Sequence, residues 1–121
     1  MEHVKYDRIS SDGDQAQLIV QWKGLRNTKD KCAGKPFSMA GLSNASCQID
    51  GNLGQGFLAV LEATNDGVKY YPLSNSQGVP IYLRKAGIYE VTGLSVRSVR
   101  PRVLKGTQET DVNITICAGR V

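Results

Sequence analysis

The sequence predicts an all-β domain, an antiparallel immunoglobulin-like β-sandwich of about seven to nine short strands. Three observations lead there. No stretch keeps apolar residues at positions i, i+3, i+4 and i+7 over the length of a helix. Short runs rich in Val, Ile and Tyr recur instead, separated by clusters of Gly, Asn, Asp and Ser. Glycine is abundant, 13 residues in 121, as frequent turns require. With no helical crossovers the strands must pair antiparallel. A closed β-barrel is the alternative arrangement of the same strands.

The length suits one domain spanning residues 1–121. Hydrophobic residues make up 40% and charged residues 21%, a globular rather than a disordered balance. No apolar stretch reaches the length of a membrane-spanning helix. The net charge of +4 permits contact with an anionic surface without demanding it.

The first strand is expected over Val4 to Ile9, followed by the turn "SSDGD" with Asp12-Gly13 at its tight point. "AQLIVQW" alternates cleanly, with Ala16, Leu18, Val20 and Trp22 on one face and Gln17 and Gln21 on the other, so Trp22 should anchor the core. A short strand over Ser46 to Ile49 leads into "DGNLGQG", which is turn material. "FLAVLEA", Phe57 to Ala63, is apolar on both faces and predicts a central strand. "TNDG" should turn the chain so that "VKYYPL" pairs back, ending at Pro72. "SNSQG" turns again into "VPIYLR".

In "GIYEVTGLSVRSV", Tyr89 and Val91 share one parity and Leu94 and Val96 the other, which predicts one strand with a bulge at Gly93. In "DVNITICAG", Val112, Ile114 and Ile116 face one way and Asn113, Thr115 and Cys117 the other. The second half, from the central strand through the hairpin to "AGIYEVTGLSV", resembles immunoglobulin-like modules of bacterial extracytoplasmic proteins. The resemblance lies in strand and turn order and implies a compartment and an interaction role, with no site residue.

Little in the chain supports catalysis. The single histidine, His3, lies at the start, where a general base is hard to hold in place. Zinc needs closely spaced ligands, and Cys32, Cys47 and Cys117 offer no such spacing. Asp12 and Asp14 lack the other ligands of a calcium loop. "GNLGQG" precedes a buried strand, whereas a phosphate loop precedes a helix, so it reads as a turn. Glu62 and Glu90 both lie in strands, solvated or salt-bridged, and spacing alone does not bring them together. No cofactor, no metal and no enzymatic activity are expected.

Two sets of residues could form binding surfaces. Arg97, Arg100, Arg102 and Lys105 lie in "VRSVRPRVLK", where Pro101 argues for a loop or an edge, and Lys23, Arg26, Lys29, Lys31 and Lys35 form a second basic group. No aromatic residue is interleaved with these charges along the sequence, which disfavours nucleic acid as a partner. Tyr70, Tyr71 and Tyr82, with Tyr89 nearby, could form an aromatic platform for a glycan, although tyrosines more often pack in or around a core. The triplets at Asn44 and Asn113 are glycan acceptors only in a secreted eukaryotic protein.

Three thiols allow one disulfide. Cys32–Cys47 would close a loop of about 15 residues and add about 3 kcal/mol by restricting the unfolded chain. Cys47–Cys117 is the other pairing weighed, and three reduced thiols would favour the cytoplasm. The leading expectation is therefore a non-enzymatic module of the periplasm or cell surface that binds another protein or a neighbouring subunit. A pilin- or adhesin-like subunit is one version, with "TDVNITI" pairing onto its neighbour. A glycan- or anion-binding module and a basic nucleic-acid-binding barrel are the alternatives. "MEHVKYDRIS" lacks the apolar core of a secretory signal, so either the chain works inside the cell or its leader has been removed.

Overall fold

The computed structural model describes residues 3–9, 17–74, 77–91 and 95–119. In chain order its strands are β1 (Tyr6–Arg8), β2 (Gln17–Leu25), β3 (Phe37–Ser38), β4 (Asn44–Asn52), β5 (Leu58–Thr64), β6 (Tyr71–Pro72), β7 (Tyr82–Leu83), β8 (Gly87–Val91), β9 (Ser98–Lys105) and β10 (Asp111–Gly119). There is no helix among the described residues. The strands form two antiparallel sheets, one ordered β1-β2-β10-β4-β8 and the other β3-β9-β5-β6, with β7 also pairing β5. The sheets do not close into a barrel. Isolated bridges, Val4 with Gly34 and Ala33 with Arg102, stitch them at one corner.

The alternation seen in the sequence decides what each strand buries. In β2, Val20, Trp22 and Leu25 point inward, and in β10 Val112, Ile114, Ile116 and Ala118 do the same. Ala45, Cys47 and Ile49 complete the inner face of the first sheet from β4. Ala59, Leu61 and Ala63 of β5 and Val99 and Val103 of β9 oppose them in one core, giving a sandwich-like arrangement. Trp22 is wholly buried, and its indole N–H donates to the Lys35 carbonyl at 3.0 Å. The chain passes so close above this indole that a Cβ on Gly34 would fall 2.4 Å from Trp22 Cδ1. Residue 34 must therefore be glycine. Tyr6 closes the cluster by packing edge-on against Trp22 and Phe37.

Several expectations need correction. The segment predicted as one bulged strand is two strands in different sheets, with β8 beside β4 and β9 beside β5. The predicted bulge at Gly93 and its neighbour Leu94 lie outside the described residues, as do Asp12-Gly13, Ala16 and part of "SNSQG". "VRSVRPRVLK" is a paired strand rather than a loop, even with Pro101 in the middle of β9. The Pro101 carbonyl accepts from Gly34 N–H at 3.0 Å, so the edge that lacks a donor faces residue 34 and the β5 ladder loses nothing. The last strand does not offer an edge to a neighbour, because β10 is paired by β2 and β4 on its two sides. An interior last strand also departs from the immunoglobulin order, in which the last strand belongs to the other, CFG sheet. Of the glycines of "GNLGQG", which the sequence read as turn material, Gly51 instead lies in β4 at a φ of 104°, paired with Val112, while Gly54 and Gly56 follow the strand with φ of 78° and 72° that glycine adopts cheaply.

Candidate functional site

The outer face of the second sheet gathers residues that are far apart in sequence. In β5 the residues not facing the core are Val60, Glu62 and Thr64, yet all three are buried. Arg100 and Arg102 of β9 bond Glu62, and the turn after β5 bonds the Thr64 hydroxyl through Asp66 and Gly67. Alternation along β9 places Arg100 and Arg102 on this face while Val99, Pro101 and Val103 point inward. The register sets Arg100 opposite Glu62 and Arg102 opposite Val60, and on the far side of β5 it sets Tyr82 opposite Val60.

One carboxylate oxygen organises this face. Glu62 Oε1 accepts from Arg100 Nε and from Arg102 Nε, each at 2.9 Å. The side chains of Glu62 and Arg100 are each 12% exposed and that of Arg102 is 26% exposed. Charge-assisted bonds in such partial burial hold the guanidiniums more firmly than a solvated pair would. Arg100 also lies over the Tyr70 ring, with Cζ 3.7 Å from the centroid. Arg102 Nη1 donates to Cys32 Sγ at 3.6 Å. At the other edge of the sheet, Arg84 lies 5.3 Å from the Tyr82 ring centroid. No fully buried side-chain nitrogen or oxygen lacks a partner among the described residues, so the Arg100 Nη groups, which have no acceptor there, are not sealed from solvent, although the side chain is only 12% exposed. The face thus holds oriented Arg100 Nη donors without a protein acceptor, while Arg102 already uses Nη1 on Cys32.

His3 stands near this face. Partial burial and the charges of Arg100, Arg102 and Lys35 lower its pKa. A groove of about 550 Å³ beside His3 collects Lys5, Lys23, Arg26 and Lys31 together with Asp7 and Asp30. Part of the second basic group of the sequence therefore does converge, although Arg26 is already bound to Asp111 at 2.9 Å.

The structure divides the residues singled out in the sequence. Arg100, Arg102, Tyr70 and Tyr82 share the outer face of the second sheet. Arg97 does not: its Nη1 donates to the Asp66 carbonyl at 3.2 Å, pinning the β5–β6 turn. Lys105 lies at the end of β9, paired with Leu58 at a register irregularity. Tyr71 has the opposite parity to Tyr70 and stands 67% exposed at the sheet edge. Tyr89 packs against the core, and its hydroxyl bonds the backbone of Lys85. Glu62 and Glu90 belong to different sheets and form no carboxylate pair. Sequence reasoning left Glu62 as solvated or salt-bridged, and the structure shows the salt bridge, to both Arg100 and Arg102. The signal was an acid inside an otherwise apolar central strand, which needs a buried partner.

The predicted Cys32–Cys47 disulfide is not formed, and all three cysteines are free. Cys47 points from β4 into the core, where burial pushes its thiol up to about 12. Cys32 lies in the loop beside β9, with its thiol between Arg102 and the Lys29 carbonyl. The alternative bridge fails by parity. Cys47 pairs with Ile116 and Cys117 with Ser46, so these adjacent thiols leave the sheet on opposite faces.

No protein-family model matches the chain, and no curated protein matches it. Among solved structures, the crystal structure of SPBc2 prophage-derived protein YomS is similar, with a TM-score of 0.59 over 89% of this chain and 98% of that chain at 11% identity. At that identity the likeness shows the fold alone.

Proposed function

We propose that this protein is a non-enzymatic binding module that recognises an acidic segment of another protein on the outer face of its second sheet. The observation that carries the reading is the shared bond of Glu62 Oε1 to the Nε atoms of both Arg100 and Arg102 at 2.9 Å. Ordering a free arginine on binding costs rotamer entropy, and here the fold has already met that cost. The unused Nη donors match a carboxylate, which accepts two parallel hydrogen bonds from a guanidinium fork. Tyr70 and Tyr82 add rigid apolar area at little entropic cost, as aromatic residues do in protein interfaces.

The immunoglobulin-like expectation would put recognition in loops at one end of the sandwich. The charges and aromatics favour a sheet face instead. Placement outside the cytoplasm, the other part of the expectation, now rests on the strand-and-turn resemblance, because the free thiols remove its cysteine argument. Cell fractionation followed by blotting tests that placement directly.

Binding is tested by fluorescence anisotropy with a fluorescein-labelled glutamate-rich decapeptide. Saturable binding in about 50 mM salt that weakens at about 500 mM is expected, because screening shortens the reach of exposed charge. No binding at the lower salt overturns the reading. A single-stranded oligonucleotide that binds more tightly than the peptide, at equal charge, moves the site to nucleic acid.

A further inference from the structure

A second concavity lies at the β5–β6 turn, at the end of the second sheet. It is a cleft of about 350 Å³, near the lower end for small-ligand sites. One wall is apolar and built from Tyr71, Leu73 and Val96. The rim is polar and carries Asn65, Asp66 and Lys69.

The cleft is held in shape before any ligand arrives. Asp66 Oδ1 accepts from Val68 N–H at 2.8 Å, Lys69 N–H at 2.9 Å and the Thr64 hydroxyl at 3.1 Å. These bonds, the two backbone donors foremost, lower the Asp66 pKa and keep its carboxylate ionised, with Oδ2 left to accept from a ligand. Gly67 turns the chain at a φ of 80°, against the Arg97 guanidinium. Arg97 N–H donates to the Thr64 carbonyl at 3.1 Å and to Asn65 Oδ1 at 3.3 Å, and Arg97 Nη1 reaches the Asp66 carbonyl. The turn is therefore tied to the segment that supplies Val96. Tyr71, in contrast, has no ring or cation stacked on it among the described residues and is 67% exposed.

We infer that this cleft binds the ring of a neutral sugar, with Tyr71 as the stacking platform and Asn65, Asp66 and Lys69 as hydrogen-bonding partners of its hydroxyl groups. A sugar ring has an apolar face of C–H groups and a perimeter of hydroxyls that both donate and accept. The cleft matches that division, with an apolar wall ending in an unpaired aromatic ring and a rim that offers an ionised acceptor, an amide and an ammonium donor. The preformed turn removes part of the ordering cost that a weakly bound ligand could not meet. The cleft contains none of Glu62, Tyr70, Tyr82, Arg100 and Arg102, so its failure leaves the acidic-partner reading standing.

The experiment is a titration of isotope-labelled protein with cellotriose, chitotriose and maltotriose, each to about 20 mM, followed by NMR. At least one of the three is expected to give saturable shifts at the Tyr71 ring and the Leu73 and Val96 methyls. Tyr71→Ala should weaken that binding at least about tenfold, while Tyr71→Phe, which keeps the ring, should change it by less than about threefold. Tyr71 is exposed, so neither variant threatens the fold. The Arg100→Gln/Arg102→Gln double variant should bind the sugar as the unaltered protein does. Absence of shifts with all three sugars, or shifts unchanged in Tyr71→Ala, overturns the inference. Shifts at these same residues produced by the glutamate-rich peptide would assign the cleft to the protein partner and equally overturn it.

Discussion

The guanidinium of Arg100 lies 3.7 Å above the centre of the Tyr70 ring while its Nε is bonded to Glu62. These constraints act on different parts of one side chain. The carboxylate fixes where the Nε points, and the ring fixes the plane of the fork. What remains free is the Nη edge, so the geometry that stabilises the face also prepares it for an anion.

Removing Glu62 should therefore harm the fold as well as the site. Glu62→Ala leaves two partly buried guanidiniums repelling each other without a counter-charge. The expected loss is about 2–4 kcal/mol in urea denaturation. Glu90→Ala, on the exposed side of β8, should leave the urea midpoint unchanged. Equal midpoints for the two variants would show that the Glu62 bonds carry no stability.

The close approach at Gly34 gives a steric prediction. In Gly34→Ala the new Cβ would lie 2.4 Å from Trp22 Cδ1 and 2.9 Å from Pro101 Cδ. Neither indole nor proline ring can yield without moving the core, so a loss of about 1–3 kcal/mol is expected, with a changed Trp22 emission maximum. Wild-type stability and emission would contradict this packing.

The thiols give a labelling prediction. Alkylation of the unreduced native protein should modify Cys32 and Cys117, which are partly exposed, and spare Cys47. Unfolding without reductant should expose the third site. A protein that takes up its full complement of label only after reduction would carry a disulfide and refute this arrangement.

Cys47 also makes stability depend on alkaline pH. Its thiol titrates near 9.0 in an exposed setting and near 12 in the fold. The stability this burial contributes is complete below about pH 9 and is lost as the pH rises towards 12, because the unfolded chain releases the proton first. Relative to Cys47→Ala, the native protein should lose about 1.4 kcal/mol per pH unit in that window. Parallel curves for the two proteins would contradict the burial of the thiol.

The parts of the fold that were legible in the sequence share one physical feature. β2 and β10 each have one face in the core and one outside, so burial writes a period of two directly into the chain. β9 has the same period, with Val99, Pro101 and Val103 inward and Arg100 and Arg102 outward. It was obscured by Pro101, whose missing donor matters only on one edge of the strand, and the sequence does not say which edge that is. The site was less legible because it exists only across strands. Glu62 and Arg100 are 38 positions apart, Tyr70 stands just before β6, and Tyr82 comes from β7. Interleaving of charges and rings was absent along the chain and present across the sheet. The cysteines misled because their spacing allowed a loop to close, whereas the sheet sends Cys47 into the core and leaves Cys32 beside Arg102.

The most direct test of the arginine face compares two variants of equal charge. Arg100→Gln/Arg102→Gln and Arg97→Gln/Lys105→Gln each remove two positive charges from the same strand region. If the pinned guanidiniums recognise the acidic partner, anisotropy with the glutamate-rich decapeptide should show at least about a tenfold loss of affinity for the first variant, equivalent to about 1.4 kcal/mol. The second should lose less than about threefold. Equal losses would mean that net charge alone attracts the peptide, and the proposed site would be wrong.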